Sequence, residues 1–132
     1  MDRVFLDANV LFSAAYREHS GLRRLWELEQ VQLVTSGSAA AEAHRNLPEG
    51  EPRTRLKSRH AVMEVSVEVV DPPLPTGVDL AAKDRPILLA ALHTRATHLL
   101  TGDVAHFGPY FGKSVEGIQI LRPAEYLRSR SG

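Results

Sequence analysis

The sequence predicts an α/β fold: a three-layer α/β/α domain with a mostly parallel sheet of about five strands. Short apolar and β-branched runs alternate along the chain with longer segments of helical periodicity, as they do in βαβ proteins. The chain has 132 residues, of which 43% are hydrophobic, enough for one core and too few for two. We therefore expect residues 1–132 to form a single domain.

Five short runs are predicted to be strands. They span residues 4–6, 31–35, 65–70, 99–100 and 118–121. The runs at 4–6 and 99–100 are wholly apolar, as short buried strands are, whereas 31–35 has an alternating and β-branched character. A connector with three prolines, residues 71–77, follows the third run. Because proline fixes one backbone dihedral, we expect this connector to be stiff.

Segments with helical character lie between these runs. In chain order they are residues 8–16, a segment capped by Ser20, residues 39–47, residues 53–63, residues 87–96 opened by Asp84, and a last helix begun by Pro123. The segment 39–47 is rich in alanine, which favours a helix, and the segment 87–96 is almost entirely apolar. A helix of that kind is buried in a sheet that is covered on both faces.

The segment after Ser20 carries an apolar stripe. Leu22, Leu25, Trp26 and Leu28 follow helical spacing. One interpretation is that this stripe exceeds what a small domain needs for its own core, and on that basis we expect a homodimer. The alternative is that the stripe covers the sheet of the monomer.

The composition excludes several classes of site. The chain has no cysteine, which removes disulfides, thiolate zinc sites and cysteine nucleophiles. The histidines lack zinc-binding spacing, and there is no Gly-rich phosphate loop, dinucleotide fingerprint or Gly-x-Ser-x-Gly elbow. The 16 basic and 16 acidic residues balance, so the net charge does not indicate a nucleic-acid partner.

The sequence gives no sign of export or membrane insertion. An acid stands at position 2 with an apolar strand directly after it, unlike a secretory signal. No apolar run approaches the roughly 20 residues that a membrane span needs. We therefore expect a cytoplasmic protein without a membrane partner.

Four acids are predicted to meet at one edge of the sheet. Asp7 and Asp103 follow the first and fourth strands, at the edge where an open parallel sheet binds its ligands. Glu42 and Asp84 are expected in the first turns of helices that begin on the same edge. Repulsion among four carboxylates is costly unless divalent cations neutralise them. The sequence thus predicts a phosphoryl-transfer site in which these four residues are catalytic and bind Mg²⁺ or Mn²⁺.

Each acid also has a simpler structural explanation. Asp7 and Asp103 suit turns that follow strands. Glu42 suits a solvated helix face, with an ion pair to Arg45 or to a neighbouring histidine. Asp84 suits a helix N-cap. The predicted convergence of all four acids on one edge favours a shared site over four separate structural roles.

Two polar residues are candidate supports for these acids. Asn9, two residues after Asp7, is near enough to orient its carboxylate or to meet a phosphate. Thr101 can hold a carboxylate or a metal-activated water through its hydroxyl, or it can simply be a strand residue. Both interpretations of Thr101 stay open on the sequence.

Four segments of the chain resemble one family when taken in order. They are DANVL at 7–11, AEAHRNL at 41–47, DRPILLAA at 84–91 and LLTGD at 99–103. Together they resemble the PIN domain, a nuclease fold common in prokaryotic VapC-type toxin–antitoxin ribonucleases. The resemblance covers nearly the whole chain. It implies a nuclease that holds Mg²⁺ or Mn²⁺ with the four acids, a single-stranded or structured RNA substrate, and an antitoxin protein as partner.

The sequence therefore predicts an endoribonuclease that cleaves phosphodiester bonds with a metal-activated water, as the toxin of a toxin–antitoxin pair. Two alternatives stay open. One is a non-catalytic PIN-like module that binds nucleic acid or acts as a scaffold. The other is a haloacid-dehalogenase-like phosphatase, which also has an aspartate after its first strand. That chemistry uses a second acid two residues further on, where this chain has Asn9.

A basic stretch is the candidate substrate-binding surface. Residues 53–60 include Arg55, Lys57 and Arg59, whose charges can neutralise RNA phosphates. The alternative is a solvated helix face, which most runs of charged residues are.

Overall fold

The computed structural model of the protein describes residues 1–66 and 85–131. Its strands are β1 (Asp2–Leu6), β2 (Val31–Ser36), β3 (Glu64–Ser66), β4 (His98–Leu100), β5 (Ser114–Val115) and β6 (Ile118–Leu121). They form one sheet in the order β3-β2-β1-β4-β6-β5. Every neighbouring pair is parallel except β5 with β6. The predicted mostly parallel sheet is confirmed, with β1 near its centre.

Helices connect these strands. The α-helices are α1 (Ala8–Tyr16), α2 (Gly37–Asn46), α3 (Glu51–His60), α4 (Arg85–His93), α5 (Val104–Phe107) and α6 (Pro123–Ser131), with 3-10 helices over Gly21–Glu27 and Gly108–Tyr110. None of the helices within residues 1–66 and 85–131 has the length and apolar character needed to cross a membrane.

The pleat of the strands divides the core between the two faces of the sheet. Val4 and Leu6 of β1 pack on one face, while Phe5 between them packs on the other. The first face is covered by α1, α2, α3 and α6, and the second by α4 and α5. Because helices cover both faces, the predicted three-layer α/β/α architecture is confirmed.

Two predicted elements differ from the structure in kind or number. Within the described residues the sheet has six strands, because the two-residue edge strand β5 pairs with β6 through a tight turn at Glu116 and Gly117. Both turn residues have positive φ, 50° and 82° respectively, which suits a type I′ hairpin. So short a strand carries no readable periodicity.

The segment after Ser20 is a 3-10 helix, and the Ser20 hydroxyl accepts a hydrogen bond from the Leu22 amide at 3.3 Å, as its predicted capping role requires.

Helix boundaries also differ, and one shift affects a candidate site residue. Helix α2 begins at Gly37 with Ser36 as its N-cap, so Glu42 lies in the second turn and the expectation of the first turn was wrong. Helix α3 begins at Glu51, two residues before the predicted start. The predicted strand 65–70 overlaps β3, and its residues after 66 lie outside the described part of the chain. So do the connector 71–77 and Asp84.

The apolar stripe after Ser20 packs against the protein's own core. Leu25 is fully buried, and Leu22, Trp26 and Leu28 are partly buried against the cluster on the first face of the sheet. This is the alternative in which the stripe covers the monomer. The homodimer stays a prediction, but it is no longer needed to explain these residues.

Polar contacts tie the C-terminal helix to the first strand. The hydroxyl of Tyr126, in α6, donates a hydrogen bond to Asp2 Oδ2 at 2.7 Å. Arg130 forms an ion pair with the same oxygen at 3.3 Å and donates to the Glu29 carbonyl. Burial, together with the Asp2 carboxylate, raises the pKa of Tyr126, so its hydroxyl keeps its proton and remains a donor.

We expect the Tyr126→Phe variant to lose about 1 kcal/mol of unfolding free energy, because it deletes one hydrogen bond but keeps the buried ring. Tyr126→Ala also removes the ring, which is 1% exposed, and should cost about 3–5 kcal/mol. Tyr16→Phe is the control, because Tyr16 is 44% exposed. Urea denaturation measures all three variants. A loss in Tyr126→Phe no larger than in the control would contradict a stabilising hydrogen bond between Tyr126 and Asp2.

Candidate active site

The order of the strands opens a crevice between β1 and β4. These strands are parallel neighbours with Leu6 paired to Leu100. The helix that follows β1 packs on one face of the sheet and the helix that follows β4 packs on the other. In an open α/β sheet, such a reversal leaves a ligand-binding crevice at the carboxyl ends of the strands. Asp7 directly follows β1, and Asp103 lies three residues after β4.

Asp7 is buried and its carboxylate is held in place by three groups. The residue is only 6% exposed. Its Oδ1 accepts a hydrogen bond from the Ala8 amide at 2.7 Å, which caps α1. Its Oδ2 accepts from the Thr101 hydroxyl at 2.8 Å and from Asn9 Nδ2 at 3.2 Å. The side chain of Asp7 therefore caps α1 through one carboxylate oxygen, and the other oxygen is held by side chains.

Thr101 and Asn9 form a polar bridge between the ends of β1 and β4. The fully buried Thr101 hydroxyl donates to Asp7 and accepts hydrogen bonds from Asn9 Nδ2 and from the Asp103 amide. Asn9 also accepts a hydrogen bond from the Gly102 amide at 2.8 Å through its Oδ1. Thr101 is thus more than a strand residue. Its single hydroxyl fixes both the Asp7 carboxylate and the backbone of Asp103.

Helix α2 presents Glu42 to the same crevice. The helix begins beside β1, because the Ser36 hydroxyl accepts from the Ala39 amide and the Thr35 hydroxyl donates to the Leu6 carbonyl. One face of α2 is formed by residues spaced three and four positions apart: Ser38, Ala39, Glu42, Arg45 and Asn46. That face forms one wall of the crevice.

The crevice holds a cavity of about 510 Å³. It is lined by Asp7, Ala8, Asn9, Phe12, Ser38, Ala39, Glu42, Arg45, Asn46, Ile87 and Asp103. Three of the four predicted acids therefore share one cavity, with Asn9 beside them and Thr101 behind Asp7. Asp84 lies outside the described residues. The described part of α4 reaches this cavity through Ile87.

The acids influence one another electrostatically. Burial raises the pKa of Asp7, and the hydrogen bonds from Thr101 and Ala8 oppose that shift. The carboxylates of Glu42 and Asp103 raise the pKa further by like-charge repulsion. In the part of the chain that the structure describes, no lysine, arginine or histidine forms an ion pair with Asp7. A cation would therefore relieve both the burial cost and the repulsion.

The chemistry of these donors fits Mg²⁺ or Mn²⁺. The acidic side chains offer hard carboxylate oxygens, the ligands that these ions prefer. Within the described ranges, no three acidic or histidine side chains are grouped closely enough to enclose a metal ion. Mg²⁺ does not require such a cage, because it commonly keeps several waters and binds through one or two carboxylates together with substrate phosphates.

The three basic residues expected to bind substrate do not line this cavity. Arg55 donates hydrogen bonds to the carbonyls of Ala15 and Tyr16, at 2.9 and 3.1 Å, at the end of α1. The Arg59 guanidinium lies 5.3 Å from the centre of the Trp26 ring, and burial lowers the pKa of Arg59. Lys57 is exposed. Two of the three residues thus stabilise the chain's own packing, which neither sequence interpretation anticipated.

Arg45 lines the cavity, although the sequence offered an ion pair with Glu42 as one explanation of both residues. No such ion pair is present between these two described residues. Once Glu42 is placed at the site, helical spacing puts the residues three and four positions further along on the same face of the helix. That spacing is the signal that finds both Arg45 and Asn46.

Thr101→Val should raise the pKa of Asp7 further, because the deleted hydroxyl stabilises the ionised carboxylate. Because the pKa of Asp7 is higher in the folded state, protonated Asp7 contributes to folding stability at low pH. That contribution to stability is lost as the pH rises through the folded-state pKa. We therefore expect a loss of about 1–3 kcal/mol at neutral pH and a smaller loss near about pH 4. Denaturation in chelator at both pH values is the measurement, with Thr101→Ser as the control. Equal losses at the two pH values would contradict the assigned role of the hydroxyl.

Arg55→Ala should lower the unfolding free energy by about 1–3 kcal/mol, because two carbonyls at the end of α1 lose their partner. The control is Lys57→Ala, an exposed residue of the same helix, which should change stability by no more than about 0.5 kcal/mol. Chemical denaturation compares the two variants. An Arg55→Ala protein as stable as wild type would mean that this guanidinium is free for other contacts.

Comparison with known proteins agrees with this fold. A family model described as the PIN domain matches residues 3–105. A chain in the crystal structure of VapBC2 from Rickettsia felis, bound to a DNA fragment from their promoter, superposes with a TM-score of 0.55 at 11% identity, covering 91% of this chain and 98% of that one. At that identity the likeness shows the fold alone. No curated protein sequence matches significantly. Because the family model spans most of the chain and all four candidate acids, this protein belongs to the PIN domain family.

Proposed function

We propose that this PIN domain is a Mg²⁺- or Mn²⁺-dependent endoribonuclease. Members of the family are generally nucleases that use divalent metal ions. The observation that carries the proposal is the buried Asp7 carboxylate, which shares one cavity with Glu42 and Asp103 at the crevice between β1 and β4. We infer that Asp7, Glu42, Asp84 and Asp103 hold the ion.

A structural role for Asp7 does not account for its surroundings. Capping of α1 needs only one carboxylate oxygen. The second oxygen has its own donors, from Thr101 and Asn9. Burial of this carboxylate and its proximity to two other acids raise its pKa, and an ionised group in that position is unfavourable for the metal-free fold. Such an arrangement is expected where the carboxylate has a ligand to hold.

Each residue then has a distinct part in phosphodiester cleavage. A bound divalent ion supplies charge neutralisation and lowers the pKa of a water for attack on the phosphate. Asp7, positioned by Thr101 and Asn9, would provide a ligand that is held in one orientation. Glu42 and Asp103 would provide further carboxylates from the lining of the same cavity, whose volume of about 510 Å³ leaves room for a phosphodiester. We expect products with a 5′-phosphate and a 3′-hydroxyl.

We further propose that the protein is the toxin of a toxin–antitoxin pair, with RNA as substrate and an antitoxin as partner. The RNA substrate is inferred from the resemblance to VapC-type ribonucleases. The antitoxin is supported by the structural likeness to a chain of VapBC2, which was crystallised with promoter DNA. Co-expression with a small protein encoded next to its gene would test this partner. Suppressed toxicity and co-purification would support the pair. The absence of both effects would argue against it.

Two alternative functions make different demands on the same residues. A haloacid-dehalogenase-like phosphatase needs a second acid where Asn9 stands. Asn9 instead holds Asp7, Thr101 and the Gly102 amide through both ends of its amide group, and membership of the PIN family gives that alternative no support. A non-catalytic module would keep the fold and bind nucleic acid without cleaving it. Cleavage assays separate that module from the proposed nuclease.

We expect Mn²⁺ at a hundred times its Kd to stabilise the wild-type protein by about 2.7 kcal/mol. The same protein should cleave single-stranded RNA in Mn²⁺ and not in chelator. Asp7→Asn and Asp103→Asn should lose the stabilisation and reduce cleavage by roughly 100-fold or more, since several kcal/mol of transition-state stabilisation depend on the ion. Thermal melts and single-turnover cleavage provide the measurements.

Glu29→Gln is the control, because Glu29 is exposed and does not line the acid cavity. It should behave as wild type in both assays. Metal-dependent stabilisation that persists in an Asp7, Asp103 double variant would refute the shared site. Binding of Mn²⁺ and RNA without any cleavage would favour the non-catalytic module.

A further inference from the structure

The cavity has a basic residue on the same helical face as one of its acids. Arg45 lies three residues after Glu42 in α2, and both side chains line the cavity. Asn46, one residue further, lines it as well. A glutamate and an arginine at this spacing commonly form an ion pair on a helix surface. Here the two residues form none.

The Arg45 guanidinium has no hydrogen bond or ion pair with any residue that the structure describes. Several other arginines are engaged in such contacts. Arg3 pairs with Glu64, Arg55 caps the end of α1, and Arg130 pairs with Asp2. Arg45 is also exposed. It therefore remains available to a ligand that enters the acid cavity.

We propose that Arg45 binds a non-bridging phosphate oxygen of the nucleic-acid strand at the rim of the acid cavity, and so positions the scissile phosphodiester against the carboxylates. This inference rests on the proposed nuclease function, because it names the residue that holds the substrate of that same site. The chemical class of ligand is a phosphodiester of single-stranded RNA.

Electrostatics explain why the site needs such a residue. A phosphodiester carries a negative charge and must approach Asp7, Glu42 and Asp103, which repel it. Divalent ions held by the acids would reduce this repulsion, but the flanking phosphates of the strand would still lack a partner. A guanidinium suits them because its planar fork of donors matches two phosphate oxygens. The net charge of the chain is zero, so attraction has to come from locally placed cations.

A competing role for Arg45 is purely internal. Its charge lies near the acids and can lower their mutual repulsion before metal binds, without touching a substrate. In that case Arg45→Ala would destabilise the metal-free protein and strengthen Mn²⁺ binding, because a cation that competes with the metal is removed. RNA affinity in chelator would not change. RNA binding therefore separates the two roles.

The experiment compares Arg45→Ala, Arg45→Lys and the control Arg24→Ala. Arg24 is exposed and does not line the acid cavity. Fluorescence anisotropy with a labelled single-stranded RNA oligonucleotide, in chelator and over a salt series, measures affinity. Calorimetric titration with Mn²⁺ measures metal binding, and steady-state cleavage in Mn²⁺ measures kcat and KM.

We expect Arg45→Ala to bind RNA roughly tenfold more weakly, as loss of a charge-assisted hydrogen bond predicts. The slope of log affinity against log salt should fall by about 0.7, the value for one phosphate contact on a single strand. KM should rise by a similar factor, with Mn²⁺ affinity undiminished. Arg45→Lys should keep the salt slope but recover only part of the affinity, because lysine lacks the fork. Arg24→Ala should match wild type.

The inference is overturned if Arg45→Ala matches Arg24→Ala in both RNA affinity and salt slope. It is also overturned if only Mn²⁺ affinity and metal-free stability change, since that is the internal role. Failure of the proposed function looks different: the wild-type protein would cleave no RNA in Mn²⁺ or Mg²⁺. The anisotropy comparison, made in chelator, still decides the role of Arg45 in that event.

Discussion

The site depends on one hydrogen bond, from the Thr101 hydroxyl to the Asp7 carboxylate across the ends of β1 and β4. The bond is 2.8 Å long and joins two residues that are 94 positions apart. Its geometry follows from the parallel pairing of Leu6 with Leu100, which brings the next residues of the two strands side by side. The sheet register therefore decides the orientation of the carboxylate. Asn9 strengthens the link by bonding both strand ends at once.

The same packing that stabilises the fold also makes the ionised Asp7 carboxylate electrostatically unfavourable. β1 is central and its residues fill both core clusters, so the residue that follows it starts out buried. A polar side chain in that position has to be hydrogen-bonded, and an acid there has a raised pKa. Glu42 and Asp103 increase that cost. The hydrophobic layers around β1 offset this unfavourable electrostatics in the metal-free chain.

The sequence was informative where a side chain's position follows from its own strand. The runs 4–6 and 118–121 lie within observed strands because apolar, β-branched residues mark buried parallel strands. Asp7 and Asp103 could be placed at the ligand-binding edge for the same reason: their strands end there. Glu42 was predicted at the edge where it lines the cavity but one turn too early, because α2 begins at Gly37, two residues before the predicted start. Each of these inferences needed only local pattern and the rule for parallel connections.

The sequence was uninformative where a side chain's partner lies far along the chain. Arg55 and Arg59 form a basic run whose spacing suits a solvated face, yet one reaches the carbonyls that end α1 and the other covers Trp26. Nothing in a local charge pattern encodes those partners, because they depend on how α3 packs against elements that precede it by dozens of residues. For Arg45 the opposite holds: its position beside Glu42 was readable, and the missing information was that the two do not pair. A run of charge thus indicates where basic residues are abundant, whereas the fold decides which of them remain free for a ligand.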